Sequence, residues 1–195
     1  MIEKIFYYAT TAFEALVAVF GITGPFEQPS YRVLVTLAPD LEIRDYGPTL
    51  AVEATAAGPD GKDQAFRLLF NYITGGNKTE HLIAMTAPVR VSPSGPNATT
   101  VRFYLPASEA ANPVPPADPR VRLVRIRDST VATYRFYGNP TQADQQQAEA
   151  TLMSILGTTA WRPASQPFFL GYNPPFTIPF LKRNEIAIEV SANSR

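Results

Sequence analysis

Few residues in this chain can do chemistry, and they are spread thinly. His81 is the single histidine, and the chain has no cysteine. A ring nitrogen of His81 can bind a metal ion such as iron. Met85, four residues on, offers a soft thioether, and Tyr46, Tyr72 and Tyr172 are remoter oxygen ligands. Each has a plainer reading beside this one. His81 sits in a polar run with Lys78 and Glu80 and reads equally as a solvated side chain. Met85 lies in an apolar run, where methionine commonly fills core, and tyrosine in a half-buried strand is ordinary. The missing cysteines remove disulfides, thiolate catalysis and Cys-ligated zinc or iron–sulfur sites. One histidine removes every site that needs two. No Gly-x-Ser-x-Gly elbow, phosphate-binding Gly-x-x-x-x-Gly-Lys or His-Glu-x-x-His motif occurs.

The elements that must position these residues begin with a helix over 62–74. Ala65, Phe66, Leu68, Leu69, Phe70, Tyr72 and Ile73 spread over about 200° of its circumference, wider than the arc of about 100° that one core requires. One flank therefore meets a sheet and the other meets a second helix, a loop or a flat apolar ligand. Asp60 stands where it can cap this helix, and Gly75-Gly76-Asn77 closes it. An apolar run over 82–89 reads as a strand that Pro88 confines to an edge or a bulge.

A family resemblance rests on these residues. A helix ending Tyr72-Ile73-x-Gly75-x-Asn77, followed by Ile83-Ala84-Met85-Thr86-Ala87-Pro88-Val89, resembles the SOUL/haem-binding protein family. Gly171-Tyr172-Asn173-Pro174-Pro175-Phe176 with Arg183-Asn184-Glu185 matches a second stretch of that family, and Ile43-Arg44-Asp45-Tyr46-Gly47-Pro48 fits a third. Together they cover roughly 31–191. Haem needs an apolar slot for its plate and cations for its propionates. The resemblance implies a slot between the helix face carrying Leu68, Leu69 and Tyr72 and the loop carrying Pro175 and Phe176, with Arg67, Lys182 and Arg183 as the cations in reach. At Thr177 the chain departs from members that place a basic residue there. His81 is then the candidate iron ligand, with Met85 as a second.

Composition bounds the remaining readings. The chain has 195 residues, 45% apolar and 17% charged, enough for one globular domain. Seventeen Lys and Arg balance seventeen Asp and Glu. That balance argues against a nucleic-acid partner, which calls for a basic face.

Residues 1–23 carry Ile2, Ile5, Phe6, Ala9, Phe13, Leu16, Val17 and Phe20 at three- and four-residue steps, an amphipathic helix. It reads as docking on the domain, contacting a second copy, or lying on a membrane surface. Glu3 and Lys4 cancel, so the positive start of a signal peptide is missing. The expected location is cytoplasmic, with membrane association through this helix as the variant. Residues 24–30 read as a linker and 31–191 as the haem-binding domain.

Strands are expected over 31–37, 41–46, 49–56, 101–105, 121–126, 131–137, 168–172 and 184–190. A long loop fills 106–119, and 121–126 pairs with 131–137 as a hairpin. Thr141 and Asp144 form a near capping box opening a second helix with Ala148, Leu152, Ile155 and Leu156 inside. Ile43-Arg44-Asp45 and Ile126-Arg127-Asp128 open two runs with the same order of elements, suggesting an internal repeat. The expected fold is α+β, two β-α-β-β repeats forming a distorted antiparallel barrel-like sheet with two flanking helices.

The function that follows is non-catalytic binding of haem or a related tetrapyrrole for sequestration or transport. Its rivals are a protein- or membrane-interaction module on a fold resembling effector-binding domains, and an enzyme that removes the metal from a tetrapyrrole.

Overall fold

The computed structural model describes residues 26–192, so the amphipathic segment 1–23 lies outside the described residues. The architecture is α+β. The strands are β1 (Tyr31–Ala38), β2 (Leu41–Tyr46), β3 (Thr49–Ala57), β4 (Val89–Pro93), β5 (Ala98–Tyr104), β6 (Val121–Ile126), β7 (Ser129–Tyr137), β8 (Trp161–Pro163), β9 (Phe168–Gly171) and β10 (Arg183–Ala192). The helices are α1 (Gly61–Ile73) and α2 (Gln142–Gly157).

All neighbouring strands are antiparallel, in the order β1-β2-β7-β10-β9-β4-β5-β3-β6, with β8 pairing the far end of β10. Tyr46 faces Ser129 across β2 and β7, and Thr49 faces Ile126 across β3 and β6. The run β2–β3 thus lies along the run β6–β7 through both turns, and the sheet curls back on itself.

This corrects the expected hairpin. β6 and β7 do not pair with each other: β6 pairs β3, and β7 lies between β2 and β10. Two consecutive strands separated only by Arg127 and Asp128 look like a hairpin locally, but β6 joins β3 and β7 joins β2 and β10. The expected strand over 82–89 is also corrected. Leu82 makes an isolated bridge to Thr74, and the regular strand begins only at Val89, past Pro88. Proline has no N–H for the ladder, so the ladder starts after it. β4 is then free to sit centrally between β5 and β9 rather than at an edge.

Side chains on the two faces alternate with period two. On one face α1 covers β3, β5 and β6, and α2 covers β7, β8 and β10. Ala65, Leu69, Tyr72 and Ile73 of α1 pack on Leu50, Val52, Val101 and Phe103. Ala148, Leu152 and Leu156 of α2 pack on Leu41, Ile43, Ala132, Ile186 and Ile188. Each fully buried Leu or Ile here stabilises by about 1.5–3 kcal/mol over an exposed one. On the inner face a third cluster gathers Ala87, Val131, Phe168, Leu170, Tyr172 and Ala187.

The helix ends follow local chemistry. Thr141 and Asp144 form a complete capping box at α2. Asp60 occupies the N-cap of α1 but makes no side-chain cap bond. Beyond α1, Gly75 takes φ +101°, a conformation that favours glycine.

Candidate functional site

The expected binding face of α1 divides by burial. Leu69 and Tyr72 are fully buried against the sheet, 0% and 1% exposed, and Leu68 is half-buried. The Tyr72 hydroxyl donates to the carbonyl of Val114 at 2.7 Å. Burial, with Glu109 adding its negative charge, pushes this phenol up to about 12. Arg67 is exposed, its Nε donating to the Asp63 carbonyl one turn back. Phe66 and Phe70, 36% and 51% exposed, stack with centroids 6.2 Å apart on the outer flank of the helix. Phe66 also meets Phe103 edge-on at 5.1 Å.

The segment after α1 is organised by Asn77, which is buried. Its Nδ2 donates to the carbonyls of Tyr72 (2.9 Å) and His81 (2.6 Å), and its Oδ1 accepts from the backbone N–H groups of Thr79 and His81. This clamp ties the end of α1 to His81. The His81 side chain is half exposed, with Nε2 3.1 Å from Glu109 Oε1. A carboxylate on one ring nitrogen fixes the imidazole and leaves the other nitrogen for a ligand, the usual arrangement behind a metal-bound histidine. Among the described residues no group of three or more His, Asp or Glu could hold a metal ion on its own. Met85 is half-buried against the core beneath α1.

The loop between β9 and β10 shows its apolar side chains to solvent. Phe176 is 55% exposed and Phe180 73%, and Pro175 is exposed between Pro174 and Phe176. Lys182 Nζ donates to Asn139 Oδ1 and to the carbonyl of Pro175, both at 2.6 Å. These partners are neutral, so the loop keeps a positive charge. Thr177 is buried, and its N–H donates to the Pro174 carbonyl at 3.2 Å.

Arg183 turns the other way. It stacks over the Tyr172 ring at 3.9 Å and donates from Nε and Nη2 to Glu185 Oε1 at 3.1 and 2.6 Å. Glu185, fully buried, also receives Arg44 Nη1 and Nη2 at 2.7 and 3.1 Å and the Tyr172 hydroxyl at 2.8 Å. Burial works against the Glu185 charge, but Arg44 and Arg183 outweigh it and hold the carboxyl below its ordinary range. Burial and the Glu185 charge raise Tyr172 well above a normal phenol.

The expected site residues thus fall into four places. Leu68, Leu69, Tyr72 and Met85 share the core beneath α1, with Arg67 on that helix's outer surface. Pro175, Phe176 and Lys182 share the β9–β10 loop. His81 pairs with Glu109, and Arg183 belongs to the inner cluster. Sequence reasoning missed the roles of Asn77, Glu109 and Glu185. Asn77 and Glu185 stand inside the very motifs that carried the resemblance. Glu109 lies in a proline- and alanine-rich loop with no local signal.

Among the described residues no helix is long and apolar enough to cross a membrane. The curled sheet resembles solved structures at low sequence identity. Against the EcmrR C-terminal domain the TM-score is 0.60 at 8% identity, over 83% of this chain and 98% of that one. Against a hydrolase from Listeria innocua it is 0.54 at 10% identity, over 78% and 92%. Both likenesses are of fold alone. Two sequence relatives are nearer. Heme-binding protein 2 of Mus musculus is 29% identical over 171 residues, 81% of this chain and 82% of that protein. Heme-binding protein 2 of Homo sapiens is 32% identical over 153 residues, 73% and 74%. Residues 26–189 match the family described as SOUL heme-binding protein, and this chain belongs to that family.

Proposed function

We propose that the protein binds haem or a related tetrapyrrole in an apolar surface slot and sequesters or carries it without catalysis. Family membership supports the ligand class. The observation that carries the site is the β9–β10 loop, which turns Phe176 and Phe180 to solvent beside a lysine with only neutral partners. An exposed aromatic pair next to an uncompensated cation suits a flat apolar plate with carboxylate arms.

In this reading Pro175, Phe176, Leu68 and Met85 supply apolar contact, and Lys182 and Arg67 hold the propionates. Leu69 and Tyr72 support the slot from beneath. Arg183 acts by fixing the start of β10 through Glu185. His81, oriented by Glu109, would hold the iron, with Met85 the softer alternative. A bound haem would supply its iron and its absorption band; the chain supplies the slot, the charge and the access.

The test is a hemin titration of the full chain followed by absorption, repeated with His81→Ala. A saturable one-to-one band at roughly micromolar affinity, about −8 kcal/mol, supports binding. Loss of the shifted band in the variant supports His81 as ligand. A spectrum that then stays constant over hours separates a carrier from a metal-removing enzyme. Absence of any saturable band in the wild type overturns the reading.

Residues 1–23 carry the interaction reading: a contact with a second copy or with a membrane surface. Supporting it, β1 is an edge strand that leaves Val33, Leu34 and Val35 exposed just after this segment. Phe13→Glu with Leu16→Glu is expected to abolish dimer sedimentation or vesicle flotation while sparing the hemin band. The duplication reading draws support from the strand order. From β2 inward it runs β2-β7-β10-β9, and from β6 inward β6-β3-β5-β4, each half carrying one helix.

A further inference from the structure

The two helices leave the middle of their shared face bare. α1 packs on β3, β5 and β6, and α2 on β7, β8 and β10. Between them run β4 and β9, which pair with each other and lie at the centre of the sheet. Val91 of β4 stands opposite Phe169 of β9, and Phe169 stands opposite Ile186 of β10. These three side chains form an apolar floor at the seam between the two helix-covered cores. Above it opens a cleft of about 990 Å³. That volume is at the upper end for small-molecule sites, which run to about 1,000 Å³.

The walls differ from the floor. One wall is the first two turns of α2, where Gln142, Gln145, Gln146 and Glu149 recur at helical spacing and face the cleft. The other is the β4–β5 turn with Asn97, joined to the pre-helix loop by the Gly58 N–H donating to the Asn97 carbonyl at 2.8 Å. Among the lining residues Glu149 is the sole charged side chain, and no Lys or Arg is present. Carboxamides both donate and accept, so the rim can meet a polar uncharged group in either sense. A ligand with two carboxylates would find no cation here and would face Glu149.

We propose that this interhelical cleft is a second ligand site, which takes a flat amphiphile that is neutral or singly cationic. Its apolar body lies on Val91, Phe169 and Ile186. Its polar groups meet the glutamine wall, and a positive charge, where present, pairs with Glu149. The site is separate from the haem slot proposed above and has the opposite charge preference.

The test uses two xanthene dyes of similar shape and opposite charge, rhodamine 6G as the cation and fluorescein as the anion. Each is titrated into the full chain by fluorescence anisotropy. Rhodamine 6G is expected to bind one-to-one and at least about tenfold more tightly than fluorescein. Glu149→Arg is expected to narrow or reverse that ratio. Gln145→Trp, a surface change that fills the cleft, is expected to weaken rhodamine 6G at least about tenfold while leaving the hemin band and the far-ultraviolet circular dichroism unchanged. Equal affinity for the two dyes, no saturable rhodamine binding, or indifference to Gln145→Trp overturns the proposal. So does one-to-one displacement of rhodamine 6G by hemin, which would make the cleft the haem site itself.

Discussion

Lys182 reaches outward to Asn139 and the carbonyl of Pro175, whereas Arg183, the next residue, stacks on Tyr172 and grips Glu185 inside the curl. The same contrast holds for the regions around them. Inside, Arg44, Arg183, Tyr172 and Glu185 form a buried network in which the carboxylate is surrounded by donors. Outside, residues 175–182 show two aromatic rings to water and carry a lysine held by neutral oxygens. Both oxygens of the inner carboxylate are taken up by these donors, so Glu185 has little left for a ligand. The outer loop leaves its capacity open. Charge next to charge in sequence therefore says little about function until the strand's alternation assigns each residue a side.

The sharpest way to break this comparison is to remove the inner carboxylate. Glu185→Ala takes the carboxylate away from Nη1 and Nη2 of the buried Arg44, which keeps only the Glu42 carboxylate on its Nε, and is expected to cost about 3–5 kcal/mol in chemical denaturation. Pairing it with Arg44→Met, which removes the stranded charge, is expected to recover much of that loss. A loss under about 1 kcal/mol for the single variant would mean that the network does not hold the fold.

The pH dependence comes next. Glu185 lies below its ordinary value of 4.5 in the folded protein. Its contribution is therefore present above about pH 4.5 and is lost as pH falls through the folded value. Glu185→Gln is expected to flatten the stability–pH profile in that acid range and nowhere else.

The outer loop is expected to behave in the opposite manner. Phe176→Ser with Phe180→Ser should weaken hemin about tenfold, or 1.4 kcal/mol, while shifting stability by no more than about 0.5 kcal/mol. The smallest effect is expected for Lys182→Ala, a loss of a few-fold in hemin affinity, about 0.5–1 kcal/mol, that shrinks with added salt. If Lys182→Ala destabilised the fold as much as Arg183→Ala, the distinction between outward and inward cation would fail.

How much of this was legible beforehand depends on the range of the interactions. The capping box at Thr141 and Asp144 was readable because its partners lie three residues apart. The helix over 62–74 was readable because its apolar residues repeat with the helical period, and it forms over Gly61–Ile73. The partners of β6 and β7 are not legible, because both join strands far away in sequence and local spacing holds no trace of that. That 82–88 stays outside the ladder is not legible either, because apolar residues in an extended segment look the same whether or not they enter a ladder. For the candidate site, the motif residues were legible and their directions were not. Leu69 and Tyr72 belong to the face that the resemblance implies for binding, and the sheet buries them.

By itself the sequence determined family membership, the α+β class, both described helices with their caps at α2, and a chemistry limited to one histidine and a handful of soft or phenolic ligands. These follow from composition, short-range periodicity and motifs, all contained in neighbouring residues. Only the tertiary structure decided that the sheet curls so that β2–β3 lies along β6–β7 and that Arg44 meets Glu185 across 141 positions of chain. It also decided that His81 is backed by Glu109 and that a cleft stays open between the helices. Each of these depends on which distant backbone satisfies which strand edge, a choice made by the burial of the whole sheet rather than by any segment of it.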